Sequence, residues 1–166
     1  MRLKEEFSEL VSMQASKKNP NEGDVFIVQP KKGIYFYGKV IKTNIQSINP
    51  FFNKMNLIYL YKESSQEVKM LDYMNSNQLL IPPVVVNNQG WLKGYFMTIG
   101  NIAVTDEEYS VDFGFWSTVR NKYFDLSGNE LKKEPKYHSI FGLGSYGVVG
   151  RDIQKVLQEN PELLKV

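Results

Sequence analysis

The stretch that most limits how this chain can fold is residues 23–41, GDVFIVQPKKGIYFYGKVI. It holds two runs rich in Val, Ile, Phe and Tyr, side chains that suit a pleated, half-buried surface. Between them lies the polar segment Gln29-Pro30-Lys31-Lys32-Gly33. Pro30 presets φ and Gly33 tolerates φ > 0, so the chain is expected to reverse there. The pattern predicts an antiparallel hairpin and the first piece of a sheet on which later strands pair. Within it Ile34, Phe36 and Val40 share one face, and Tyr35, Tyr37 and Lys39 the other. The first set reads as core. The tyrosines either pack a second face beneath a helix or present an aromatic surface.

Upstream, Leu3, Phe7, Leu10 and Val11 recur at helical spacing, with acids near the start of 2–17 and Lys17-Lys18 near its end. This predicts an N-terminal helix packed on the sheet and stopped by Asn19-Pro20-Asn21-Glu22-Gly23. Downstream, 43–56 reads as a polar loop interrupted by Phe51-Phe52, and 57–62 (LIYLYK) as a strand. The polar segment 63–78 hints only at a turn or short helix. Pro82-Pro83 cannot donate to a ladder, so 79–86 is expected to be an edge strand or a broken one. Asn87-Asn88-Gln89-Gly90 is turn chemistry, 91–99 reads as a strand, and Gly94 within it suggests a bulge or bend. Thr105-Asp106-Glu107-Glu108 has the spacing of a capping box. Segments 113–116 and 123–125 read as strand, 126–131 as a turn, and Ile153, Val156 and Leu157 as the face of a final helix ending near Asn160-Pro161. The expectation is one α+β domain over 1–166, with 1–22 as a helical extension. Its curved, mainly antiparallel sheet, open or barrel-like, carries an N-terminal and a C-terminal helix.

Several function classes are excluded or disfavoured. With no cysteine in the chain, disulfides, zinc ribbons and thiol catalysis are ruled out. A formal net charge of +2 is too mild for a dedicated nucleic-acid binder. No apolar run is long enough to span a membrane, and the opening Met1-Arg2-Leu3-Lys4-Glu5-Glu6 has no apolar signal core, so the cytoplasm is the expected compartment. Gly142-Leu143-Gly144-Ser145-Tyr146-Gly147 matches the dinucleotide fingerprint, yet no second parallel strand with its acidic residue can follow it. Glycines that let the chain turn into the last helix explain it better, and no cofactor is expected. His138 is the sole histidine, so a metal site with two or more histidines is impossible. No Gly-x-Ser-x-Gly elbow presents a serine, and His138 reads as solvated. Asp106, Glu107 and Glu108 read as a capped helix start, or second as an acidic docking patch.

The pieces together resemble the immunity protein 26 family. The resemblance rests on Gly23-Asp24-Val25-Phe26, the Pro-containing turn, Gly33 and Tyr37-Gly38-Lys39-Val40. It continues with Trp91, Gly94-Tyr95-Phe96, Ile99-Gly100-Asn101, Gly114-Phe115, Tyr123-Phe124-Asp125 with Gly128, and Gly142-Leu143-Gly144-Ser145-Tyr146. It covers roughly 23–42 and 90–157; residues 1–22 and 43–89 carry no shared motif. The resemblance implies a non-enzymatic, cytoplasmic immunity protein of a bacterial polymorphic toxin system. Such proteins bind and neutralise a cognate toxin domain, often a nuclease. The resemblance supplies no contact residues. Chemistry alone offers Tyr35, Tyr37, Phe51, Phe52, Asp106, Glu107 and Glu108 as the candidate toxin interface, because tyrosine is favoured at hot spots and acids steer basic partners. Two competing readings are a barrel-type module for single-stranded nucleic acid and a small hydrolase using His138.

Overall fold

The computed structural model describes residues 9–165. Two sheets carry the strands. The larger runs in the order β4-β3-β2-β1-β5, all neighbours antiparallel, with β1 Asp24–Lys31, β2 Ile34–Lys42, β3 Asn56–Ser65, β4 Leu79–Val86 and β5 Met97–Asn101. The smaller runs β7-β6-β8, with β6 Phe113–Ser117, β7 Lys122–Phe124 and β8 Tyr137–Ile140; β8 lies parallel to β6. Helices are α1 Gln89–Leu92, α2 Asp106–Tyr109 and α3 Tyr146–Glu159. The α+β class and the antiparallel sheet stand as the sequence suggested. The large sheet does not close, since β4 and β5 are its two edges.

The hairpin forms where expected, with Lys31 opposite Ile34 and Gly33 at φ +82°. The register shifts between Val28 and Lys31, so Pro30 sits in an irregularity and never has to donate to the ladder. The Gln29 side chain accepts from the Gly33 N–H at 2.8 Å and closes the turn. Alternation then makes two buried faces. Phe26, Val28, Phe36, Val40, Ile58 and Leu60 pack one side against Trp91, Phe96 and the Val149, Ile153 and Leu157 face of α3. On the other side Ile41, Leu57, Tyr59 and Tyr61 meet Phe52 and Phe115, while Val25, Ile27 and Tyr37 form a neighbouring cluster. The small sheet therefore covers the face opposite α3. β4 is an edge strand, as its prolines require, and its registry with β3 breaks around them.

Two expectations are corrected. From Glu9 to Pro20 the chain forms no helix; Leu3 and Phe7, the rest of that expected face, lie outside the described residues. The N–H groups of Val11, Met13 and Ser16 donate instead to the carbonyls of Gln29, Gly94 and Trp91, so this segment is a strap across the hairpin and α1. Leu10 is buried against Gly150 of α3. Tertiary hydrogen bonds here outweigh a weak local propensity. Segment 91–99 is likewise no single strand: Trp91 and Leu92 belong to α1, and β5 starts only at Met97. Gly94 makes no bulge. It holds φ +80° just past α1, its N–H donating to Trp91 O at 3.1 Å and that of Tyr95 to Gly90 O at 2.9 Å. That left-handed turn is a helix C-terminus that glycine permits.

Candidate functional site

The capping box at α2 organises the most unusual chemistry in the fold. Thr105 Oγ1 accepts from the Glu108 N–H at 3.1 Å, and Glu108 Oε1 accepts from the Thr105 N–H at 2.9 Å. This reciprocal pairing turns the Glu108 side chain inward, where it is buried. There Lys39 Nζ donates to Oε1 at 2.7 Å and to Ala103 O at 3.0 Å. Tyr61 O–H donates to Oε2, and Tyr59 O–H donates to the Glu108 carbonyl at 2.8 Å. Burial by itself would raise the Glu108 pKa, but hydrogen bonds from Lys39, Tyr61 and the Thr105 N–H more than offset it and hold the carboxyl below its ordinary value. Burial, with the adjacent Glu108 charge, pushes the Tyr59 and Tyr61 hydroxyls well up. Both phenols stay neutral donors. The network has no exposed nucleophile and no free base; it clamps α2 onto β2 and β3.

Above this clamp lies a cleft of about 330 Å³ between residues 71–76 and 102–108. Buried Lys39, Glu108 and Ser76 form its base, and exposed Asp72, Tyr73, Asp106 and Glu107 its rim. Tyr109, at the far end of α2, lines a second cleft of about 400 Å³ with Ile41, Leu57 and Phe113. Among the described residues, no group of three or more His, Asp or Glu is placed to hold a metal ion.

The structure separates the sequence-derived interface residues. Tyr37 and Phe52 are fully buried and Glu108 nearly so, which places all three side chains inside the fold. Tyr37 donates its O–H to Lys69 O at 2.6 Å, and the Phe52 ring meets the Phe115 and Phe141 rings edge-on at 4.7 and 5.3 Å. Tyr35 is half-buried against the Val25–Ile27–Tyr37 cluster. Phe51 is 65% exposed, in a loop that packs on the 125–128 turn through the Ile48 N–H to Ser127 O bond. Asp106 and Glu107 are exposed on α2. The seven thus belong to separate parts of the fold, and only the three α2 acids line the cleft, Asp106 and Glu107 at its rim and Glu108 at its base. Sequence reasoning missed Lys39, Tyr61, Ser76, Asp72 and Tyr73. For Lys39 a signal existed: it stands in phase between Tyr37 and Ile41, as a lysine turned inward would.

His138 is exposed on β8, 3.7 Å from the Glu134 carboxylate and edge-on to the Tyr123 ring. The glycine run before α3 is occupied by its own packing. Gly144 donates its N–H to Val85 O at 2.7 Å, and a Cβ there would stand 2.5 Å from Val84 Cγ2. Ser145 caps α3 by accepting from the Val148 N–H at 3.1 Å.

No curated protein and no solved structure matches the chain significantly. The family model described as immunity protein 26 matches residues 21–125. The match runs through 43–89, where no shared motif was legible in the sequence, and stops before the glycine run at 142–147, which formed part of the resemblance. It takes in β1 to β7 and the whole Lys39–Glu108 clamp. The chain belongs to the immunity protein 26 family.

Proposed function

We propose that this protein neutralises a bacterial toxin domain, in the cytoplasm of the cell that makes it, by stoichiometric binding and without catalysis. The observation that carries this reading is the family match over residues 21–125. The geometry around α2 supports it and suggests where contact is made. Exposed Tyr73, Ile102 and Tyr109 accompany exposed Asp72, Asp106 and Glu107, an apolar and aromatic patch interleaved with acids. Such a patch suits a basic protein partner, as a nuclease is, because its carboxylates steer a cationic surface into place while the aromatics bury area. Nucleic acid is a poor fit there, since phosphates would meet carboxylates.

The test is to ask whether the neighbouring gene encodes a toxin domain and to co-express the two. Expected are protection of the host and a 1:1 complex by light scattering. Failure to form a complex with the toxin overturns the proposal. His138→Ala is expected to keep full protection, since the partners of its exposed imidazole among the described residues are the Glu134 carboxylate and the Tyr123 ring; a folded His138→Ala protein that no longer protects would sink the non-catalytic reading.

A further inference from the structure

We propose that the cleft beneath the 71–76 segment is a socket for one cationic side chain of the toxin, an arginine or a lysine. The inference rests on the binding reading above and adds the place and chemistry of one contact. Four carboxylates line this cleft against a single ammonium, and that ammonium is already neutralised by Glu108 at 2.7 Å. The remaining three acids, Asp72, Asp106 and Glu107, are exposed at the mouth, and among the described residues none of them is in an ion pair. They leave the opening with an uncompensated negative charge. Among the described residues the acids do not converge as metal ligands do, so their spread fits an organic cation.

A second and independent observation points to a ligand. Ser76 is 1% exposed and lines the same cleft, and its Oγ has no hydrogen-bond partner. Among the described residues it is the one buried side-chain polar atom in that condition. Buried hydroxyls are almost always paired, because desolvation without a partner is costly. An N–H from an inserted guanidinium or ammonium would satisfy it. The walls suit the rest of such a side chain: Met74 and Ile102 flank the aliphatic stem, and the Tyr73 ring, 62% exposed at the rim, can lie over the charge. A volume of about 330 Å³ takes one long side chain and not a helix, whose diameter is about 10–12 Å.

The experiment titrates the full chain, labelled with nitrogen-15, with N-acetyl-L-arginine N-methylamide and, separately, with its neutral citrulline isostere. Saturable amide shifts confined to 71–76 and 102–108 are expected, with binding at least ~10-fold weaker for citrulline because the charge is lost. Absence of saturable shifts in the cleft, or equal binding of the two probes, overturns the proposal. In parallel, toxin affinity is measured for Ser76→Ala and for Asp106→Asn with Glu107→Gln. Each is expected to weaken the complex at least ~10-fold with melting unchanged. Unchanged affinity in these folded variants overturns the socket and leaves neutralisation standing. A wild-type chain that forms no toxin complex at all overturns neutralisation itself.

Discussion

Glu108 shows how much can hang on one side chain. It caps α2, pairs with Lys39, and receives two tyrosine hydroxyls, one at its carboxylate and one at its carbonyl. Glu108→Gln keeps the shape but strands a buried ammonium, so about 3–5 kcal/mol of stability should be lost in urea unfolding. Adding Lys39→Met should recover part of that loss, since the uncompensated charge then disappears. The pH dependence follows from the depressed Glu108 pKa. A carboxyl whose pKa is lower in the folded state contributes its full stabilisation above its unfolded value, about 4.3, and loses it as pH falls through the folded value. Wild type should therefore lose stability below pH ~4 more steeply than the double variant does. The two adjacent phenylalanines make a sharper contrast. Phe52→Ala empties a closed aromatic cluster and should cost about 3–5 kcal/mol, whereas Phe51→Ala at an exposed position should stay within about 0.5 kcal/mol. Equal melting temperatures for these two variants would contradict the packing.

At the scale of elements, α3 and the N-terminal strap depend on each other. Ile153 and Leu157 are buried against the sheet with Val156 partly so, and Leu10 of the strap lies against Gly150. Gln154 Nε2 donates to Glu9 O at 2.9 Å and to Pro30 O at 2.6 Å, tying the helix to both the strap and the hairpin. Truncation after Gly150 removes Ile153, Gln154, Val156 and Leu157 with their contacts. At roughly 1.5–3 kcal/mol for each fully buried aliphatic, the loss is comparable with a typical domain's total of ~5–15 kcal/mol. The truncated chain should show no cooperative transition near the parent melting temperature by circular dichroism; a melt at the parent temperature would show that α3 is dispensable. The final helix was legible because its apolar period is strong and its stop, Asn160-Pro161, is local. Local signals misled at 9–20, where the strap's partners are far away in sequence.

For the whole molecule, the two sheets share one buried layer: Tyr59 of the large sheet meets Phe113 of the small one, and Phe52 bridges to Phe115 and Phe141. They should unfold together. The two tryptophans report on opposite sides, Trp91 in the α3-side core and Trp116 on β6. Single-tryptophan variants Trp91→Phe and Trp116→Phe should therefore give coincident denaturation midpoints after correction for each variant's own stability by circular dichroism. A clear separation of fluorescence and dichroism midpoints within either variant would mean that the sheets are independent units. The sequence by itself determined the hairpin at 23–41, the capping box at Thr105–Glu108, the edge character of the Pro82-Pro83 strand and the final helix. Each of these is written in contiguous residues, where φ preferences, side-chain period and capping act over a few positions. Only the tertiary structure decided that Lys39 meets Glu108, 69 residues away. Only it brought Ser76 beneath the acidic mouth, and split Phe51 from Phe52. Those outcomes depend on which surfaces meet, and burial is a property of the assembled layers that no local pattern encodes.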